Sequence, residues 1–254
     1  MTPPAQRPPR PRRGARRAPA FDALEVTGRT RSHVVTLEEP QCTLHRAVVR
    51  PYLNLRAAAA REGIDLVPAS SFRDFELQLR IWNEKWTGRR ELVDRAGRRL
   101  AVAALTPAAH VAAILAWSAP PGASRHHWGS ELDVYDRAAV PAGYRLELVP
   151  AEYAADGPFA SLSTWLDANM ARFGFYRPYR TDRGGVAPEP WHLSHAPTAR
   201  AAAARLTLAT LREALAGAAL EGRAALLKEL PRVYARYVRA VDRPPRLRAS
   251  RRAK

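Results

Sequence analysis

Strand signals and helix signals follow one another in irregular order along this chain, and this order constrains the fold most. Extended segments are predicted at residues 33–37, 65–71, 131–135 and 191–194. Helices are predicted, from apolar residues at helical spacing and from cap and stop residues, over residues 43–62, 74–86, 107–117 and 159–173. Without a regular strand-helix repeat, the pattern favours an α+β fold over a doubly wound sheet. We therefore predict a small antiparallel sheet flanked by helices.

Two more helices are predicted towards the carboxyl end, over residues 201–216 and 222–240. Leucines recur on one face of each helix, so each has an apolar side to bury. We interpret residues 198–242 as a C-terminal helical extension that follows a main domain of residues 21–197. The apolar faces of the extension are expected to pack on that domain or on a partner.

The net charge of +17 is concentrated at the two ends of the chain. Residues 1–20 hold six arginines and residues 243–254 hold five arginines and one lysine, with no acid, so the ends carry +12 and the rest +5. Both ends are rich in proline and poor in large apolar residues, so we predict disordered basic arms. They reflect either compositional drift or contact with a polyanion such as acidic cell-wall polymer, anionic lipid or nucleic acid. Nucleic acid is the weaker reading, since the body has modest charge and no recognisable nucleic-acid motif.

The single cysteine, Cys42, excludes an intrachain disulfide and is expected to be a buried helix residue. At the amino end, basic residues are not followed by an apolar segment, so a secretory signal is not visible in the given sequence. The most apolar window, residues 101–119, is interrupted by Pro107 and His110. It therefore fits a buried helix better than a membrane span.

Side chains of the types that bind metals are concentrated in two segments, residues 124–133 and 189–192. Catalytic zinc takes three protein ligands, commonly His and carboxylate, and keeps one position open. Such a set is supplied by His126, Asp133 and His192. Gly129 allows a sharp turn between His126 and the strand that follows, so that this strand can present Asp133 towards the imidazole. Other possible ligands lie nearby and rank lower: His127, His195 and Asp136.

Glu189 lies three residues before His192 and directly before Pro190, in a segment expected to be extended. This position can aim its carboxylate at a water that the metal activates, without making it a ligand. Glu189 would then accept the proton of the water and deliver it to the departing amine. The sequence thus predicts a single zinc site (Zn²⁺) with the chemistry of metal-assisted hydrolysis.

These segments resemble the D-alanyl-D-alanine carboxypeptidases of the VanY type, in the zinc metallopeptidase family that also contains the VanX dipeptidases. In that family the pattern S-x-H-x-x-G-x-A-x-D, followed by E-x-x-H, supplies two His and one Asp to zinc and a catalytic Glu. The chain matches it at Ser124, His126, Gly129, Asp133, Glu189 and His192. It departs at Glu131, where a small residue is usual. The resemblance covers about residues 40–197, so the main domain is expected to be a zinc peptidase domain.

The segment Ser70-Ser71-Phe72-Arg73, with a following Gln78, is similar to a third family motif, S-G-Y-R. By that resemblance Arg73 would bind the substrate carboxylate or stabilise the oxyanion, and Gln78 and Ser124 would add hydrogen bonds. A surface ion pair is the plain alternative for Arg73. Tyr176 or Trp191 would form a wall of the pocket, or equally belong to the core.

The resemblance implies a peptidase that cleaves D-amino-acid-containing peptides of peptidoglycan, a stem peptide or muropeptide. It leaves open D,D or L,D specificity and terminal or internal cleavage. A periplasmic or cell-wall location is expected from the family. The alternative is a non-catalytic zinc-fold module that binds cell-wall peptide or a polyanion through the basic arms.

Overall fold

The computed structural model describes residues 20–244 of the chain. Its strands are β1 (Val34–Glu38), β2 (Gln41–His45), β3 (Leu66–Ser70), β4 (Glu131–Asp136), β5 (Phe175–Tyr176) and β6 (His192–His195). Its α-helices are α1 (Ala23–Val26), α2 (Arg46–Ala60), α3 (Phe75–Trp86), α4 (Pro107–Leu115), α5 (Ala160–Asn169), α6 (Ala196–Arg205), α7 (Leu208–Ala216), α8 (Arg223–Lys228) and α9 (Leu230–Val233). The fold is α+β, as predicted.

The main sheet is antiparallel, with its strands in the order β3-β4-β6-β5, and β1 and β2 form a separate hairpin. Side chains alternate between the two faces of a strand. Leu132 of β4 and its partner Leu193 of β6 are fully buried in a hydrophobic core with residues of α2 and α5. The neighbouring positions of both strands therefore face the other side of the sheet, where the polar site is built.

The predicted helix over residues 43–62 begins only at Arg46, because residues 41–45 pair with β1 as a hairpin strand. Cys42 lies opposite Leu37 in this hairpin. The prediction that Cys42 is buried is confirmed, but its assignment to a helix is wrong. The side chain of His45 accepts a hydrogen bond from the backbone N–H of Ala47 and so caps the start of α2.

The two predicted C-terminal helices are in fact divided into several shorter ones. Leu206 has an extended backbone and Thr207 then caps α7, so the first predicted helix breaks between α6 and α7. The second is interrupted at Glu229, between α8 and α9, and ends as a π-helical turn over Tyr234–Arg239. Helical periodicity continues through both interruptions, which is why it did not reveal them.

The C-terminal helices pack on the rest of the chain. Their buried leucines share one hydrophobic core with residues of α3 and α4. The indole Nε1 of Trp82 donates to the carbonyl of Glu221 at 3.0 Å, and the amide of Asn83 donates to the carbonyl of Ala219 at 2.9 Å. Of the two expectations for their apolar faces, packing on the main domain is the one observed.

Leu211→Ala is expected to lower the free energy of unfolding of the whole chain by about 2–5 kcal/mol, because Leu211 is fully buried in this shared core. Thermal and chemical unfolding should still show one transition. Leu24→Ala is the matched control, since Leu24 is 58% exposed, and should change stability little. A second transition that moves alone in Leu211→Ala would contradict a shared core.

The predicted basic arms, 1–20 and 243–254, lie almost wholly outside the described residues, so both arms and their polyanion contact stay predictions. Between residues 20 and 244, no helix is both long enough and apolar enough to cross a membrane.

Candidate metal centre

Strand register and a tight turn bring the three predicted ligands together. Asp133 of β4 and His192 of β6 are direct partners across the sheet, so their side chains leave on the same face. His126 lies in a 3-10 helix, Arg125–Trp128, just before β4. Gly129 ends that helix with φ 64°, and a Cβ there would lie 2.6 Å from the backbone nitrogen of His45. This turn therefore requires glycine.

One ligand atom from each of His126, Asp133 and His192 lies within 4.8 Å of the other two. Nε2 of His126 is 3.2 Å from Oδ2 of Asp133, and Nδ1 of His192 is 3.2 Å from Oδ1 of Asp133. All three residues are buried. Oδ1 of Asp133 is buried and has no hydrogen-bond partner among the described residues. A carboxylate that has one oxygen near each of two imidazole nitrogens, with one of these oxygens unsatisfied, fits the donor set of a zinc ion.

The charges around the cluster favour a cation at this point. Burial raises the pKa of Asp133, but His126 and His192 outweigh it and hold this pKa well below its usual value. Burial lowers the pKa of His192, but contacts with Asp133, Glu131 and Glu189 outweigh it and hold this pKa well above its usual value. The same negative environment that favours a proton on His192 would favour a divalent metal.

Glu189 lies beside the cluster, in the segment between β5 and β6. Its Oε2 is 3.1 Å from Nδ1 of His192, and its backbone N–H donates to the carbonyl of Tyr179 at 2.9 Å. The residue is 8% exposed and contributes to the wall of the adjoining cavity. A carboxylate in this position can reach both the ligand set and a molecule in the cavity.

Arg73 is held in place by hydrogen bonds to two neutral side chains. Among the described residues it has no acidic partner. Its Nη1 donates to Oε1 of Gln78 at 2.8 Å and its Nη2 donates to Oγ of Ser70 at 3.2 Å. Gln78 is fully buried and in turn donates to the carbonyl of Ala119 at 2.7 Å. The guanidinium lines the cavity and forms no ion pair with residues 20–244, so the surface ion-pair reading does not describe it.

The cluster opens into a cavity of about 650 Å³. Three aromatic side chains contribute to its walls: Trp117, Tyr179 and Trp191. So do four basic side chains: Arg73, Lys85, Arg90 and Arg95. Burial, with the nearby Arg90 charge, lowers the pKa of Lys85 to about 8. The basic side chains outnumber the three acidic ones in the lining, Asp133, Glu147 and Glu189, so the cavity can accept a ligand that carries negative charge.

Three of the predicted substrate contacts, Gln78, Ser124 and Tyr176, are not among the residues that line this cavity. Tyr176 is buried in β5, where its hydroxyl accepts a hydrogen bond from Arg125 at 3.1 Å, and it is not among the lining residues. Ser124 is buried directly before the 3-10 helix and does not line the cavity either. Gln78 lies behind the wall of the cavity, hydrogen-bonded to Arg73 and Ala119, which do line it. Trp191 lines the wall and is also part of the hydrophobic core that contains Leu132 and Leu193.

The sequence reasoning missed Tyr179, Lys85 and Arg125. The ring of Tyr179 stands edge-on to His192, with centroids 5.0 Å apart. Lys85 lies on α3, the helix that Arg73 precedes, but helical periodicity alone does not show which face of α3 meets a cavity. Arg125 forms a buried pair with Glu131, at 3.2 Å from Nε to Oε2. The sequence did contain a signal for Glu131. It precedes Asp133 by two residues, so its side chain lies on the same face of the strand as that of Asp133.

The three residues that ranked lower as possible metal ligands form hydrogen bonds outside the cluster. Nδ1 of His127 is 2.6 Å from the carbonyl of Arg73, and its Nε2 accepts from the N–H of Gly122 at 3.0 Å. His195 contacts Oγ1 of Thr198 at 3.0 Å. Asp136 accepts from the N–H groups of Asp65 and Ala138.

The chain is similar to proteins of a known family. The model of a family described as VanY, D-alanyl-D-alanine carboxypeptidase, matches residues 41–198. An uncharacterized protein of Haemophilus influenzae is 36% identical over 118 residues, which are 46% of this chain and 90% of that protein. A D-alanyl-D-alanine carboxypeptidase of Enterococcus faecalis is 30% identical over 151 residues, 57% of this chain and 45% of that protein.

Among solved structures, VanYB in complex with D-alanine-D-alanine is 24% identical, with a TM-score of 0.46. The match covers 77% of this chain and 88% of that one. Since the family match spans more than half of the chain and includes the whole cluster, the protein belongs to the VanY family and is a peptidase of the D-alanyl-D-alanine carboxypeptidase type.

Proposed function

We propose that this protein is a zinc-dependent peptidase that hydrolyses D-amino-acid-containing peptides of peptidoglycan, with Glu189 as its general base. The observation that carries the proposal is the convergence of His126, Asp133 and His192, with the Glu189 carboxylate beside them at the wall of a cavity. The three residues would hold the metal. When bound, zinc supplies Lewis-acid polarisation of the attacked carbonyl and a lowered pKa for water.

Glu189 accepts the proton of the attacking water. Its carboxylate is nearly buried and close to the ligand atoms, so the proton moves over a short distance and in little competing solvent. The protonated group then donates to the nitrogen of the departing amine. One side chain thereby acts as base and then as acid.

Arg73 stabilises negative charge on the substrate. Its guanidinium is held by Gln78 and Ser70 before substrate arrives, so little ordering is needed on binding. Two roles fit this position, a contact with the terminal carboxylate or a contact with the oxyanion that develops at the attacked carbonyl. The two roles predict different kinetics.

Stem peptides of peptidoglycan are suited to this cavity. They carry free carboxylates, and four basic side chains line the cavity. Family membership supports the same class of substrate.

The test is incubation of the purified protein with defined muropeptides, with and without a chelator, read by mass spectrometry. Release of terminal D-alanine that stops with chelator and returns with zinc is the expected result. The masses of the products also distinguish D,D from L,D cleavage and terminal from internal cleavage. Binding of muropeptide without any product would instead favour the non-catalytic module.

Arg73→Met is expected to lower kcat/KM about 10²- to 10³-fold on a stem peptide, because a fixed donor to developing charge is lost. A fall mainly in kcat would identify the oxyanion contact, and a rise mainly in KM would identify the carboxylate contact. Arg172→Met, outside the cavity that Arg73 lines, is the control and should be near wild type. Less than a threefold change in Arg73→Met would contradict both roles.

A further inference from the structure

A fully buried carboxylate, Glu131, lies behind the metal cluster. Its Oε1 accepts hydrogen bonds from the hydroxyls of Ser130 and Ser194, at 2.7 Å and 2.8 Å. Nε2 of His192 lies 2.9 Å from Oε2 of the same carboxylate. The VanY-type pattern usually has a small residue at this position, so this contact is a feature of the present chain.

The contact selects one nitrogen of His192 for the metal. An ionised carboxylate can only accept, so Nε2 of His192 carries a hydrogen and donates it to Glu131. Nδ1 is then the nitrogen that faces Asp133. His126 has the opposite arrangement, because its Nδ1 donates to the carbonyl of Ser71 at 2.7 Å and leaves Nε2 towards Asp133. Each imidazole is therefore oriented by an acceptor on the side away from the cluster.

Arg125 makes this buried carboxylate tolerable. Its Nε and Nη2 donate to the two oxygens of Glu131, at 3.2 Å and 3.3 Å, and Nη2 also donates to Oγ of Ser194 at 2.7 Å. A buried charge without a partner is costly, whereas a paired and hydrogen-bonded one is retained. The hydroxyl of Tyr176 completes the shell around the guanidinium. Tyr176 thus acts on this ion pair rather than on the cavity.

We propose that Glu131, held in place by Arg125, is a positioning residue that fixes the ring of His192 with Nδ1 towards the metal. This inference rests on the zinc site of the proposed function. Glu131 does not touch substrate or metal. It acts only through His192, so its effect should be visible in metal affinity as well as in turnover.

A pair of double variants separates the hydrogen bond from the ion pair. Arg125→Met/Glu131→Gln removes both charges and keeps an acceptor oxygen for His192, whereas Arg125→Met/Glu131→Leu removes the acceptor as well. The dissociation constant for zinc is measured by competition with a chromophoric chelator. We expect zinc to bind about 10- to 100-fold more weakly to the Leu variant than to the Gln variant, as for other residues that orient a histidine ligand. Equal affinity in the two variants would overturn the role of Glu131.

A second measurement uses the unaltered protein, in case a double variant does not fold. In zinc-loaded protein labelled with ¹⁵N-histidine, long-range ¹H–¹⁵N spectra should show a hydrogen on Nε2 of His192 and none on Nδ1, with the signals assigned from His192→Gln. A hydrogen on Nδ1 would overturn the inference while leaving the zinc site intact. Failure of the unaltered protein to bind zinc would instead overturn the proposed function.

Discussion

Glu189→Gln is expected to lower kcat on a stem peptide about 10²- to 10⁴-fold while one zinc ion still binds to each chain. Glutamine keeps the size of the side chain but cannot take a proton from water. Zinc should remain because Glu189 lies beside the cluster of His126, Asp133 and His192 and is not one of its members. The measurements are steady-state kinetics and the zinc content of the purified protein.

The matched control is Glu147→Gln, which neutralises another carboxylate on the cavity wall. Its kcat should stay within a few-fold of wild type, because a proton acceptor at the cluster is retained. Full activity in Glu189→Gln would remove the proposed base. Loss of zinc from Glu189→Gln would show that this residue is a ligand.

Asp133→Ala is expected to abolish both turnover and the stabilisation of the fold by zinc. In the unaltered protein, zinc at about 100 times its dissociation constant should add about 2.7 kcal/mol to the free energy of unfolding. For a chain of this size that corresponds to a rise in Tm of roughly 5–10 °C. Removal of the carboxylate that lies 3.2 Å from a nitrogen of both His126 and His192 should eliminate this rise.

Asp136→Ala, on the same strand, is the control for the effect of zinc. Asp136 accepts backbone hydrogen bonds from Asp65 and Ala138, so its loss should lower Tm by itself. The rise in Tm on addition of zinc should nevertheless persist. A zinc-dependent rise that is kept in Asp133→Ala but lost in Asp136→Ala would transfer the ligand role to Asp136.

Local signals predicted several helices well. Helix α3 follows Asp74, whose carboxylate accepts from the backbone N–H of Leu77, and it ends at Trp86 as the pattern predicted. Helix α4 follows Thr106, whose hydroxyl caps it, and has Pro107 in its first turn. Caps and apolar periodicity act over about four residues, so they are visible in the sequence itself.

Errors occurred where pairing or packing with another segment overrides local preference. Residues 43–45 fit a helical pattern but pair with β1, and the hydrogen bonds of that hairpin outweigh the weak intrinsic preference for helix. The break at Leu206 lies within a run of good helix formers. It places α7 against the core that also contains Phe75 and Trp82.

By itself, the sequence determined the α+β class and the residue types of the three predicted metal ligands, because residue type, the turn at Gly129 and alternation along β4 are local properties. Only the tertiary structure decided which nitrogen of each imidazole faces Asp133, that Gln78 holds Arg73, and that Arg125 and Glu131 pair behind His192. The physical reason is that these contacts depend on strand register and side-chain packing. Segments about 60 residues apart in the chain meet there, and no short-range pattern specifies their geometry.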